Sequence, residues 1–430
     1  MKEFNLVSIH YNNLKHSTDD DALKTTYDKR GTIAFNVATK LKNSGFISSI
    51  IKMAECDFNK SDFYETKIDS LGYLFAFNNK VLDCNTKEIR KIKPTDYIMT
   101  TTGYDFPEYI DDDTKTIIED YYKTIYPDED VCNYMWDNDA LTLYGERKTQ
   151  SFNIHTGSGS NSKSTKIVMI KSALGEYFEE MNAETFTKAP KSANATSEVY
   201  KAKGKRLVFF NEPEHDADNK LQVALLKKLA DGHKGTLKAR GLYADMVEFP
   251  IFVRVEGCCN NKPTLSSVDG GIGRRIRIIN YPVKFIANPE PTNKNQALLN
   301  LEMASILSSI NVRNTFIRML IDRFIDIASN IKNENIPKQI TDDSNEYIQD
   351  CNVVLGFIMD KYQLTNDEKD KVSSSDLFTQ FKNATGSKMT ASKFKDDMLG
   401  ISGITCKRMK TGVYFLGLKE RADDVEELDE

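Results

Sequence analysis

The sequence has no apolar run long enough to cross a membrane: its best candidate, 247–255, is broken by Pro250 and Arg254. Its opening residues, Met1 to Leu6, lack the apolar core of a secretory signal. The seven cysteines form no C-x-x-C pair, and Cys258 and Cys259 are adjacent, which disfavours a bridge between them. Neither a disulfide framework nor a zinc site is expected, and a reducing intracellular compartment with no membrane partner fits best. Nor is there a large excess of either charge. A formal net charge of −5 argues against wholesale coating of nucleic acid but leaves room for a local basic track. Six acids fall within 423–430, so the body of the chain is close to neutral and 421–430 reads as an acidic, disordered tail. No internal repeat is visible. What is present is 430 residues of ordinary soluble composition, enough for two or three domains with real cores.

The most informative stretch is His155-Thr-Gly-Ser-Gly-Ser-Asn-Ser-Lys-Ser-Thr165, between a short apolar run at 151–154 and a helical pattern at 166–174. Strand, glycine-rich turn and helix in that order form a phosphate cradle. Gly157 and Gly159 let the backbone approach a ligand. Ser158, Ser160, Asn161 and Ser162 complete the loop, and Thr165 lies in the first helical turn. Lys163 would reach the β- and γ-phosphates of ATP, and the Ser164 hydroxyl would ligate Mg²⁺. The spacing is that of a Walker A loop with one departure, because Ser162 stands where a glycine is expected before the lysine. If that position is left-handed, a side chain there costs about 1–2 kcal/mol. A glycine- and serine-rich surface loop is the plainer alternative.

Periodicity divides the rest. Residues 31–53 have helical spacing, and Leu71–Phe77 and Lys80–Asp83 read as strands about an Asn78-Asn79 turn. Helical patterns run from Glu108 to Glu146, with Tyr121, Tyr122, Ile125, Tyr134, Trp136, Leu141 and Leu143 as core residues. From 147 to 285 strand and helix patterns alternate, as in a parallel α/β sheet. Asn295–Lys332 looks largely helical, and Pro337–Asp343 looks like a polar connection. The last block offers helices at Ile348–Tyr362, Ser375–Asn383 and Ala391–Leu399. A strand pair, Ile404–Met409 with Val413–Leu418, turns about Lys410-Thr-Gly412. Short helices followed by a hairpin suggest a winged helix, a fold used both for nucleic-acid contact and for protein packing.

Further motifs follow the loop in order. Lys205–Glu214 is an apolar strand ending in acids, where Glu212 could hold Mg²⁺ through water or orient the attacking water. Leu221–Ala230 reads as an amphipathic helix, and Thr236–Tyr243 follows it. The apolar run Phe249–Val255 reads as a strand ending in Cys258-Cys-Asn-Asn-Lys-Pro263. An asparagine at such a tip can hydrogen-bond a γ-phosphate and the lytic water together, although Asn-Asn-Lys-Pro is also a turn signal. In Asp269–Ile279, Arg274 and Arg275 stand just before a strand, suited either to reach a neighbour's phosphates or to form a surface ion-pair cluster.

Together these segments resemble the superfamily 3 helicases, most closely the helicase part of the primase–helicases of poxviruses and other large DNA viruses, with relatives in phages and plasmids. The residues carrying the resemblance are Gly157–Ser164, Phe210–Glu214, Leu226–Leu229 with Lys238–Tyr243, Cys259–Pro263 and Gly273–Ile276. Leu74–Tyr104 resembles the domain that precedes the helicase. The resemblance implies an α/β fold: an AAA+-like P-loop ATPase core with a parallel sheet at 107–340. A mixed α+β, collar-like domain at 1–106 and a winged-helix-like domain at 341–420 would flank it. It implies a hexameric ring that hydrolyses ATP with Mg²⁺ at subunit interfaces and unwinds DNA in replication, with a primase or DNA polymerase as partner. Lys163 and Ser164 would bind nucleotide and metal, Glu212 would be catalytic, and Asn260 would be the sensor. Arg275, or else Arg274, would reach the neighbouring site. Lys238, Arg240 and Tyr243 would lie on a hairpin gripping single-stranded DNA in the channel. If viral, the protein would work in host cytoplasm or at a viral replication site. No primase domain is recognisable, so a split gene or a fragment is expected. Asn211 is uncharged where many members carry a second acid, and Ser162 motivates a rival reading as a DNA-binding ring scaffold or loader with a weak ATPase. A P-loop kinase is a third.

Overall fold

Asp20 starts the second helix of the chain. Its carboxylate accepts from the N–H groups of Ala22 and Leu23, two of the donors that a helix N-terminus leaves open. That helix, α2 (Asp21–Lys40), packs along α1 (Lys2–His16). Ser8 Oγ donates to the Gly31 carbonyl at 2.9 Å, and Tyr11 stacks on Tyr27. The helical spacing over 31–53 is interrupted before α3 (Ser44–Phe58), where Asn43 Oδ1 accepts from Gly45 and Phe46 and restarts the helix. These helices lie in one compact unit, Met1–Tyr64, and the remainder, Glu65–Glu430, forms a second. The expected 1–106 domain is therefore divided by this boundary. The computed structural model describes residues 1–58, 63–147, 149–187, 197–211, 220–232, 235–241, 245–266, 268, 270–329, 335–365, 367–401 and 403–421.

The second unit begins with an antiparallel meander, β1 (Leu74–Ala76), β2 (Val81–Asp83) and β3 (Glu88–Arg90). Two helices follow, α4 (Asp112–Ile125) and α5 (Glu129–Ala140), each capped by the preceding aspartate, Asp111 or Asp128. The central sheet contains β4 (Phe152–Thr156), β5 (Phe178–Glu180), β6 (Leu207–Asn211), β9 (Arg254–Cys259) and β10 (Ile276–Asn280). Its order is β10-β4-β9-β6-β5, and every pair is parallel. Between β6 and β9 the chain forms α7 (Val223–Ala230) and a separate antiparallel hairpin, β7 (Thr236–Ala239) with β8 (Val247–Pro250). After β4 comes α6 (Lys163–Leu174). Because β4 connects onward toward one side of the sheet while β10 lies on its other side, the strand order reverses beside β4. Ligands of open α/β sheets bind at the carboxyl ends of strands at such a switch point.

Both faces of the sheet are covered. Phe152, Ile154, Val208, Phe210 and Val255 point to a core shared with α7 and the β7–β8 hairpin. Leu207, Phe209, Cys258 and Ile279 point to the core built on α4, α5, α6 and α8 (Ile310–Ile327). Two expectations need correction here. The apolar run 249–255 is not one strand, since it is split between β8 and β9 in different sheets. Pro250, lacking an N–H, suits a strand end rather than an interior position. The stretch 295–332 is not helical from its start, because β12 (Gln296–Leu298) pairs with β11 (Lys284–Ile286) before α8.

The polar stretch 337–343 is not a connection either. It opens α9 (Lys338–Cys351), with Pro337 at the cap, where a missing N–H costs nothing. Asn352 then divides the expected helix 348–362: its side chain caps α10 (Val353–Lys361) at Leu355 N, 3.0 Å away. The last part adds β13 (Lys371–Ser373), α11 (Ser374–Thr385), α12 (Ala391–Leu399), β14 (Thr405–Met409) and β15 (Gly412–Leu416). Its antiparallel sheet has the order β13-β15-β14, and Phe357, Phe381, Phe394 and Phe415 form its core. No described helix is long and apolar enough to cross a membrane.

Candidate nucleotide site

The loop after β4 is held from both ends. Tyr281 N donates to the Thr156 carbonyl at 2.9 Å, and Phe285 N to the Ser160 carbonyl at 2.7 Å. A Cβ at Gly157 would fall 1.9 Å from Asn161 Nδ2, so only glycine fits, whereas around Gly159 (φ +89°) a Cβ would meet nothing within 4 Å. The turn therefore packs tightly on its inner side at Gly157 and stands open at Gly159. Ser160 and Ser162 are left-handed, at φ +49° and +66°. The strain anticipated at Ser162 is thus present, at about 1–2 kcal/mol for a residue with a Cβ.

Lys163 begins α6 with its ammonium drawn back over the loop. Nζ donates to the Gly157 carbonyl at 2.9 Å, Asn161 Oδ1 at 3.1 Å and Asn260 Oδ1 at 3.1 Å. The last contact joins residues 97 apart in sequence and brings the expected lysine and sensor asparagine into one site. Asn211 ends β6 opposite Cys258 of β9, so both strand tips reach the same edge. Glu212 lies outside the described residues, as do Glu214 and Tyr243. Asn161 is buried, and its Nδ2 has no hydrogen-bond partner. An orphaned buried donor beside a lysine and the open N-terminus of α6 fit an incoming phosphate oxygen. Thr165 is half-buried in the first turn, while Ser158 on the loop and Ser164 are exposed. The chemistry of this set therefore fits ATP. Of the two residues expected to hold Mg²⁺, Ser164 is described and Glu212 lies outside the described residues. A separate cleft of about 700 Å³, lined by Lys115, Lys123, Tyr126, Trp136 and Arg323 among others, contains none of these loop residues.

Beneath the loop lies a buried polar frame that sequence reasoning missed. Asn153 and His155 of β4 and Glu256 of β9 share the sheet face of Cys258, toward the helices of the second core, and all are nearly fully buried. Glu256 accepts from Asn138 Nδ2 at 2.9 Å and Asn153 Nδ2 at 3.1 Å, and its other oxygen lies 3.2 Å from His155 Nε2. Burial pushes the Glu256 carboxyl up, but His155, Lys166 and the Asn138 amide outweigh it and hold the group well below the usual carboxylate range. Nearby, Lys166 of α6 pairs with Asp139 of α5 at 2.7 Å, and Tyr122 donates to the same carboxylate at 2.6 Å. The signal was available: polar residues alternate into strands that are otherwise apolar on both faces.

The arginines separate. Arg275 is turned into its own chain, 2.9 Å from Asp231 and donating to the Gly271 carbonyl at 2.8 Å. Within the single chain this guanidinium is buried and paired, a setting different from the exposed one expected of an arginine that reaches another copy. Arg274 is exposed, with Gln150 Oε1 at 3.5 Å. On the β7–β8 hairpin, Lys238 is exposed and faces Glu248 at 3.4 Å, while Arg240 is half-buried.

Residues 15–127 match the family model described as "D5 N terminal like". The chain is similar to "Putative helicase L207/L206" of Acanthamoeba polyphaga mimivirus, 29% identical over 91% of this chain and 42% of that protein. "Putative helicase 121R" of Invertebrate iridescent virus 3 is 24% identical over 80% and 38% of the two chains. "Putative primase C962R" of African swine fever virus (isolate Tick/Malawi/Lil 20-1/1983) is 22% identical over 59% and 26%. The resemblance to D5-like helicases and primases of large DNA viruses is upheld. The chain spans about four-tenths of the length of the helicases it matches. Among solved structures, the apo A form of the NrS-1 C-terminal region overlays 77% of this chain and 80% of that one. The TM-score is 0.44 at 14% identity.

Proposed function

We propose that this chain is the motor part of a D5-like viral replication helicase, an enzyme that acts on nucleic acid by binding and hydrolysing ATP. The observation that carries the reading is the 3.1 Å contact between Lys163 Nζ and Asn260 Oδ1 at the carboxyl edge of a parallel sheet. In this reading the sheet is the AAA+-like P-loop core, and the 353–416 module is its winged-helix-like companion. The loop 157–165 binds the phosphates, and Mg²⁺, held by Ser164 and Glu212, neutralises charge developing on them. Asn260 orients the lytic water. Six copies of the chain form a ring, and Arg274 rather than Arg275 serves the neighbouring site. Lys238, Arg240 and Tyr243 grip one strand of DNA, and a primase or polymerase acts beside the ring inside the host cell.

DNA-stimulated ATP hydrolysis by the purified chain tests this reading, with Lys163→Ala as control. Removing the lysine should lower hydrolysis about a hundredfold or more, the scale expected for a positioned charge at a reacting phosphate. A native rate equal to that of the variant would instead favour the DNA-binding ring scaffold or loader. The left-handed, non-glycine Ser162 is the observation that keeps that second reading in play.

A further inference from the structure

The nucleotide loop has a strained residue and, directly behind it, a hydroxyl that no part of the proposed chemistry uses. Tyr121 lies on α4, about forty residues before the loop, and is buried. Its hydroxyl sits 3.2 Å from the Ser162 carbonyl oxygen and 3.1 Å from Ser162 Oγ. The tyrosine is itself well seated: it packs edge-on against Tyr122, whose own hydroxyl is fixed on Asp139.

We propose that Tyr121 is a positioning residue for the nucleotide loop, latching Ser162 in the left-handed conformation that a glycine would adopt without restraint. The inference rests on the nucleotide-binding reading of that loop. Its physical basis is the geometry of one peptide plane. The Ser162 carbonyl and the Lys163 N–H belong to the same trans peptide, so they point in opposite directions. The carbonyl is gripped by Tyr121 and by the Lys166 N–H at 3.0 Å. Holding it inward turns the Lys163 N–H outward, toward the position a phosphate oxygen would take. The second contact, to Oγ, fixes the side chain whose Cβ makes the left-handed state costly. A loop that lacks the usual glycine thereby keeps its donors aimed, through a helix that precedes the core.

The test uses the full chain and three variants: Tyr121→Phe, Ser162→Gly and the double change. Phenylalanine keeps the buried ring and removes only the hydroxyl. Titration with Mg·ATP should show Tyr121→Phe binding about threefold to tenfold more weakly than native, the range for one lost hydrogen bond. In the Ser162→Gly background the same change should cost less than about twofold, because glycine needs no latch. Amide exchange at 160–164, measured without nucleotide, should quicken in Tyr121→Phe. Equal affinity in native and Tyr121→Phe chains, or an undiminished penalty in the glycine background, would overturn the latch. So would unchanged exchange, whatever the protein binds. Failure of native chain to bind Mg·ATP, with exchange still quickened by Tyr121→Phe, would instead sink the nucleotide reading and leave the latch standing as a restraint on the loop.

Discussion

The loop 157–165 and the β7–β8 hairpin each carry a lysine proposed to meet phosphate, in opposite settings. Lys163 is buried, held by three oxygens and backed by a polar frame that reaches from β4 to α5. Lys238 stands on the exposed face of a two-stranded hairpin, where it pairs with Glu248. A buried ammonium is costly unless its partners are fixed, so its position is over-determined by the fold. An exposed one is screened, mobile and weakly paired. The difference suits chemistry at the first place and a repeatedly released grip at the second.

The strongest way to break the comparison is through the arginines, which lie between these extremes. Arg274→Ala should leave stability within about 0.5 kcal/mol yet lower ATP hydrolysis about a thousandfold if the exposed guanidinium serves a neighbouring site. Arg275→Ala should show the reverse emphasis, a fall in denaturant stability of about 1–3 kcal/mol from the lost Asp231 and Gly271 contacts. Hydrolysis that survives Arg274→Ala and vanishes in a folded Arg275→Ala chain would restore the original choice.

The buried frame gives the next largest effect. Removing Glu256 by substitution with alanine should cost about 3–5 kcal/mol, the scale for breaking a buried pair from one side. The sign of its pH dependence follows from the depressed carboxyl. Its contribution is complete above the unfolded glutamate value, about 4.3, and is lost as pH falls through the lower folded value. Urea unfolding between pH 7 and pH 3 should therefore show an acid-side loss that is shallower in Glu256→Gln. An equal slope in both chains would mean the frame is not what holds the loop.

The hairpin should respond least. Lys238→Ala is expected to weaken single-stranded DNA binding a few-fold and to reduce the salt slope by about one. Glu248→Ala should do the opposite, because the carboxylate, kept low by Thr236 and Lys238, is the competitor that DNA phosphate would displace. Unaltered salt slopes in both variants would remove this face from the binding surface.

Much of the site was legible because local rules act locally. Gly157, Gly159 and Lys163 fall at fixed spacing between a strand and a helix, and α12 has the expected bounds, 391–399, with Thr390 capping it in the structure. Other elements were misread where a single residue serves two uses. Pro337 signals a connection and equally a helix start, and Pro250 sits inside an apolar run that two sheets share. The first helix, α1, left little pattern, with Ser8 its one buried residue. Asn153, His155 and Glu256 looked like incidental polar residues because their partners, Asn138 and Lys166, come from separate helices.

The sequence by itself determined the strand, glycine turn and helix of this loop, since each is specified by close neighbours in the chain. Only the tertiary structure decided which distant groups meet there. Asn260 arrives through a parallel strand, Tyr121 through a preceding helix, and Arg275 is paired with Asp231. Such pairings depend on strand order and on the direction each side chain faces after packing, and no local pattern encodes either.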